Sequence, residues 1–123
     1  MVKANILIVE DEPILALELK EDLMATGYGV CAIVADGDMV MQALLQYKPD
    51  LAIVDIKLFG FRDGFEAMDR IRGFFKTPVL YLTSYPYEQV ADRVQRTAPS
   101  WYLSKPYDRD KVLSLVGTIL GRP

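Results

Sequence analysis

The apolar residues of this chain change period again and again, and that alternation restricts the fold more than any other feature. Short continuous runs stand at Ile6–Val9, Tyr28–Val34, Leu51–Val54, Val79–Leu82 and Trp101–Ser104. Runs of this length, rich in β-branched and aromatic residues, read as strands covered on both faces. Between them the spacing turns helical. Leu15, Leu19 and Leu23 recur every fourth residue behind Pro13, which suits a first helical turn, and Gly27 reads as the stop. Val40, Ala43, Leu44 and Tyr47 stripe a second helix that ends before Pro49. Phe65, Met68, Ile71 and Phe75 stripe a third, and Val90 and Val94 are the inward positions of a weaker fourth between Pro86 and Thr97. Val112, Leu115, Val116 and Ile119 stripe a fifth, with Asp108 as its N-cap. Strands alternating with helices in this way predict an α/β, doubly wound fold, a parallel sheet with helices on both faces. With no internal repeat, low-complexity tract or linker, the 123 residues read as one domain, 1–123.

In such a sheet, chemistry gathers outside the carboxyl ends of the strands. The first strand ends in Glu10-Asp11-Glu12, the third in Asp55, the fourth in Thr83-Ser84 and the fifth in Lys105-Pro106. Crowded carboxylates raise one another's pKa unless a cation intervenes. Oxygen donors on few protein groups suit Mg²⁺. A cation with a lysine and a hydroxyl beside it is a receptor for phosphoryl oxygens. Asp55, the acid on a central strand end, is the expected attacking carboxylate. Taken singly, each piece has an ordinary explanation: a solvated acidic loop, a turn aspartate, a helix cap, a loop dipeptide. Four separate elements placing the right residue at one edge are harder to explain in that way.

Composition narrows the chemistry further. The chain has no histidine, which removes histidine general bases, Ser-His triads and histidine-ligated metals. Its single Cys31 forms no internal disulfide, in keeping with a reducing compartment. A net charge of −3 repels nucleic-acid phosphates, so no direct nucleic-acid contact is expected. The N-terminus has no signal-peptide pattern and no apolar run reaches membrane-spanning length, so a cytoplasmic protein without a membrane segment is expected.

The segments Ile6-Leu7-Ile8-Val9-Glu10-Asp11-Glu12-Pro13, Leu51-Ala52-Ile53-Val54-Asp55-Ile56-Lys57-Leu58, Leu82-Thr83-Ser84 and Tyr102-Leu103-Ser104-Lys105-Pro106 resemble the response-regulator receiver domain of two-component signalling. The resemblance covers essentially the whole chain. It implies a flavodoxin-like three-layer fold of five βα units with strand order 2-1-3-4-5. It also implies a regulatory domain rather than an enzyme, in which Asp55 accepts a phosphoryl group from a sensor histidine kinase or a histidine phosphotransfer protein. On the same resemblance Asp11 and Asp55 ligate Mg²⁺, Glu10 acts through water, and the backbone carbonyl of Lys57 completes the protein's share. Lys105 pairs with one phosphoryl oxygen and Thr83 with another. Tyr102 then moves inward, and the change passes to helix 4, strand 5 and helix 5, a face for a homodimer, a downstream protein or a linked output domain. A cis peptide before Pro106 belongs to the same pattern.

Some positions depart from it. The segment Leu58–Gly64 reads as a long, glycine-rich loop, with Phe59 and Phe61 either packed on the third helix or exposed for kinase docking. Lys57 and Tyr85 lie two residues past Asp55 and Thr83, where the family tunes hydrolysis of the acyl phosphate; either they shield the phosphoryl group and slow hydrolysis, or Lys57 points into solvent. Trp101 beside Tyr102 is an expected interface residue. A haloacid-dehalogenase phosphatase would need a second aspartate where Lys57 stands, and a flavin carrier would need a Ser/Thr/Gly-rich first loop in place of Glu10-Asp11-Glu12. A degenerate receiver serving only as a docking module is the remaining alternative.

Overall fold

The computed structural model describes residues 2–56 and 61–121, with side chains for all of these except 61–63. Its strands are β1 (Asn5–Val9), β2 (Gly29–Val34), β3 (Leu51–Ile56), β4 (Val79–Thr83) and β5 (Ser100–Ser104). They pair in parallel in the order β2-β1-β3-β4-β5, the order the family resemblance implied. The helices are α1 (Pro13–Ala25), α2 (Val40–Tyr47), α3 (Phe61–Ile71), α4 (Tyr87–Arg96) and α5 (Arg109–Ile119), with a short 3₁₀ turn at Gly37–Met39 before α2.

Side chains alternate across a strand, so each strand feeds two cores. On one face Ile6, Ile8, Leu51, Ile53, Leu80 and Leu82 pack with Ala16 and Leu23 of α1 and Val112 and Val116 of α5. On the other, Leu7, Val9, Ala52, Val54, Val79 and Tyr81 pack with residues of α2, α3 and α4, Phe65 and Met68 among them. The Tyr81 and Phe65 rings meet at 4.7 Å between centroids.

The helices keep their expected places with local corrections. In α1 the leucine row is not uniformly inward: Leu23 is buried, Leu19 half-buried and Leu15 exposed, while Ala16 takes the inner position. An i, i+4 row runs obliquely to the helix axis, so its ends rotate away from the sheet. Tyr47 of α2 is exposed. Part of the expected loop after Asp55 is helical, because α3 already begins at Phe61. Within it Gly64 allows close approach to β3, where an added Cβ would collide with Cδ1 of Ile56. At α5 the Asp108 carboxylate accepts from the Lys111 backbone N–H at 2.8 Å, as an N-cap should. The Lys105–Pro106 and Ala98–Pro99 peptides are both cis.

Candidate functional site

The alternation that builds two cores also sorts the polar residues at the carboxyl edge. Asp55 follows Leu51 and Ile53 in parity and turns to the α1/α5 face. Glu10 continues Ile6 and Ile8 on the same side, and Lys105 continues Trp101 and Leu103. The pairing of Val9 with Val54 brings the end of β1 beside Asp55. Glu10, Asp55, Lys105 and Tyr107 all border one cavity of about 530 Å³. Its floor is apolar, with Ile8, Ile53 and Leu82 from the sheet and Leu19, Val112 and Leu113 from α1 and α5.

Lys105 Nζ donates to both Oδ1 and Oδ2 of Asp55, each at 2.8 Å. The Asp55 side chain is only 6% exposed, so its charge needs such a partner. Glu10 is buried too, and its Oε2 accepts from the Glu12 backbone N–H at 3.3 Å. Burial, with the negative charges of Asp55 and Glu10 added, pushes the Tyr107 phenol up to about 12.

Thr83 and Tyr102 lie on the opposite side. Thr83 shares parity with Tyr81 and is fully buried, and Tyr102 packs against the α2–α4 core. Both hydroxyls engage the same residue. Thr83 Oγ1 accepts from the Tyr85 N–H at 3.1 Å, and the Tyr102 hydroxyl donates to the Tyr85 carbonyl at 2.7 Å. The Tyr102 ring also meets Tyr87 edge-on at 5.1 Å. Tyr102 is thus already tucked against the entry to α4 and half-buried. Because Thr83 Oγ1 accepts from Tyr85, its own proton stays available to an acceptor.

The sequence therefore brings Glu10, Asp55 and Lys105 together and sets Thr83 and Tyr102 across the sheet from them. Asp11 is exposed at the start of the loop before α1. Lys57 and Phe59 lie outside the described residues, as does the side chain of Phe61. Glu10, Asp11 and Asp55 are hard oxygen donors from neighbouring strand ends, a donor chemistry that fits Mg²⁺. Among the described residues no three acidic, histidine or cysteine side chains are gathered at metal-binding spacing, and Asp55 is held by Lys105. The sequence marks Tyr107 only as one of the aromatics near the last helix, core or interface, and not as a residue of this pocket, although its place two residues past Lys105 was the available signal. No helix among the described residues is long and apolar enough to cross a membrane.

Comparison with known proteins agrees with this fold. The profile of the response regulator receiver domain matches residues 6–117. The transcriptional regulatory protein PdtaR of Mycobacterium tuberculosis is 28% identical over 98% of this chain and 58% of its own length. BaeR of Escherichia coli, also a transcriptional regulatory protein, is 36% identical over 96% of this chain and 48% of its own. The chain thus spans about half the length of these curated relatives. Among solved structures, a two-component response regulator of the LuxR family from Aurantimonas superposes with a TM-score of 0.86 at 27% identity, covering 97% of this chain and 86% of that one. The PhyR receiver domain of Erythrobacter litoralis gives 0.80 at 28%, covering 98% and 92%.

Proposed function

This chain belongs to the response regulator receiver domain family, and from that premise we propose that it is a phosphorylation-driven switch with Asp55 as the acceptor. The observation that carries the reading is the buried Asp55 carboxylate gripped by Lys105 at the mouth of a cavity. One Asp55 oxygen attacks the donor phosphorus, the bond from phosphorus to the histidine nitrogen of the partner breaks, and an acyl phosphate forms. Lys105, released from its grip on the carboxylate, neutralises a phosphoryl oxygen. Glu10, Asp11 and Asp55 would hold Mg²⁺, with the Lys57 carbonyl as a further donor, and the ion supplies charge neutralisation for the transfer.

Thr83, on the other face at the end of β4, is drawn over the strand edge and donates its hydroxyl proton to another phosphoryl oxygen. Since Thr83 accepts from the N–H and Tyr102 donates to the carbonyl of the same residue, Tyr85, a shift of one is felt by the other. The output surface is α4, β5 and α5, where exposed Tyr87 and half-buried Trp101 offer aromatic area to a second copy, a downstream protein or a linked output domain. Lys57 and Tyr85, two residues past Asp55 and Thr83, slow hydrolysis of the acyl phosphate. On this reading the Lys57→Asn, Tyr85→Ala double variant loses its label faster than the parent, and equal decay of the two would remove the assignment.

The principal test is intact-mass measurement after incubation with Mg²⁺ and acetyl phosphate. One added phosphoryl group is expected, and none in Asp55→Ala or with EDTA. Retention of the label in Asp55→Ala would refute the assignment of the acceptor. A pocket that neither labels nor binds beryllofluoride would favour phosphorylation-independent docking. Native mass spectra of the same samples report whether the loaded protein pairs.

A further inference from the structure

The cavity that Asp55 borders does not stop at the strand ends. It continues down the gap between α1 and α5, where one face of each helix lines it. From α1 come Leu15, Glu18, Leu19 and Asp22, spaced i, i+3, i+4, i+7, and from α5 Arg109, Val112 and Leu113, spaced i, i+3, i+4. The leucines leave this wall unfinished. Leu15 is 41% exposed, and Leu19 and Leu113 are half-buried, although all three border an apolar floor of Ile8, Ile53 and Leu82. A volume of about 530 Å³ falls within the range of about 300–1,000 Å³ that holds small organic ligands.

The charges around the gap are unequal. Among the described residues four carboxylates line it, Glu10, Glu18, Asp22 and Asp55, against two cations, Lys105 and Arg109. Each cation already has a carboxylate partner. Lys105 holds Asp55, and Arg109 Nε lies 3.5 Å from Asp22 Oδ1 across the gap. Glu10 and Glu18 are the surplus. Glu10 is buried at the inner end and accepts from the Glu12 N–H. Glu18 is exposed, one turn from Asp22 on the same helix, and has no ion pair among the described residues. Two carboxylates of α1 thus face one guanidinium at the outer rim.

We propose that this gap is a binding site for a small amphipathic cation, with its apolar body on the Ile8, Ile53 and Leu82 floor and its ammonium group between Glu18 and Asp22. The apolar body displaces water that the leucine walls cannot hydrogen-bond. The ammonium group stays at the exposed rim, so no unpaired charge enters the interior. There it relieves the repulsion between two carboxylates placed i, i+4 on one helix. An anionic amphiphile of the same shape reaches Lys105 or Arg109 only by breaking an existing pair, and it meets the surplus carboxylates as well. Neither Mg²⁺ nor phosphorylation of Asp55 enters this recognition, so the site stands apart from the reading above.

The probes are hexylammonium and octylammonium below their micellar concentrations, with octanoate and octanol beside them. They are titrated into the intact chain without Mg²⁺ or a phosphoryl donor, and methyl resonances are followed. Octylammonium is expected to saturate one site per chain, shifting methyls of Leu19, Ile53, Val112 and Leu113 and leaving Val54 and Val90 on the other face unmoved. It should bind about tenfold more tightly than hexylammonium, for two added methylenes. Octanoate and octanol should bind several-fold more weakly. Glu18→Gln should weaken octylammonium several-fold and leave octanol unchanged, and Leu113→Trp, which fills the gap, should abolish binding of every probe. Leu19→Phe takes its place if that variant does not fold. Octanoate or octanol binding as tightly as octylammonium, or an unchanged affinity in Glu18→Gln, would overturn the cation. Absence of saturation, or undiminished binding in the filled variants, would overturn the site. Failure of Asp55 to take up a phosphoryl group would sink the acceptor reading and leave this result untouched.

Discussion

The two faces of the one sheet are built to different standards of closure. The α2–α4 face is filled by large side chains, with Phe65, Met68, Ile71 and Tyr81 all essentially without solvent contact. The α1/α5 face keeps a cavity of about 530 Å³, and its lining residues Leu19 and Leu113 are only half-buried. The Asp55 carboxylate and its lysine are on the open face, and the Thr83–Tyr85–Tyr102 contacts are on the closed one. Chemistry needs access for a donor, whereas a relay needs neighbours that cannot yield. Strand periodicity lets one stretch of chain serve both demands, because adjacent residues face opposite ways.

If the closed face carries the stability, truncating it should cost the most. Phe65→Ala is expected to lower unfolding free energy by about 3–5 kcal/mol in urea titration. A cost near that of a surface substitution would abolish the contrast. Leu19→Ala, beside existing empty space, should cost only about 1 kcal/mol, since a half-buried leucine forfeits part of the usual transfer energy. The same titration applied to the two variants gives the ratio directly.

A finer distinction comes from alkaline pH. Folded Tyr107 on the open face holds its proton up to about 12, against 10 for an ordinary tyrosine. The folded state thus binds the proton more tightly than the unfolded chain does. That contribution is whole below pH 10 and is lost as pH climbs from 10 towards 12. Tyr107→Phe should flatten this part of the stability–pH curve, by a modest amount because the ring is half exposed. An unchanged slope would show that burial at the cavity rim does not hold the phenol neutral.

The sequence made the strands legible because buried parallel strands are continuous apolar runs, and each observed strand agrees with its expected run to within two residues. It exposed Asp55, Glu10 and Lys105 for a related reason: polar residues directly after such runs stand out. Less visible was which face each residue takes, since a shift of one position reverses the side. The hydrogen bonds that join Tyr81 and Arg72 to Thr97 were hidden, as these residues are far apart in sequence and none forms a motif. A tyrosine inside an aliphatic strand was a hint, because a buried phenol requires a partner. The start of α3 was missed because glycines at 60 and 64 suggested a loop, whereas Gly64 is there to let the helix approach Ile56.

The doubly bonded Asp55–Lys105 pair has a consequence for how the pocket meets any cation or phosphoryl group. Lys105 is tethered to the same chain as the carboxylate it occupies, so it competes for Asp55 at an effective concentration fixed by the fold. Diluting the protein does not weaken this competitor, and no change in expression level alters it. Every measured affinity at Asp55 is therefore an exchange constant, taken against a rival that travels with each molecule.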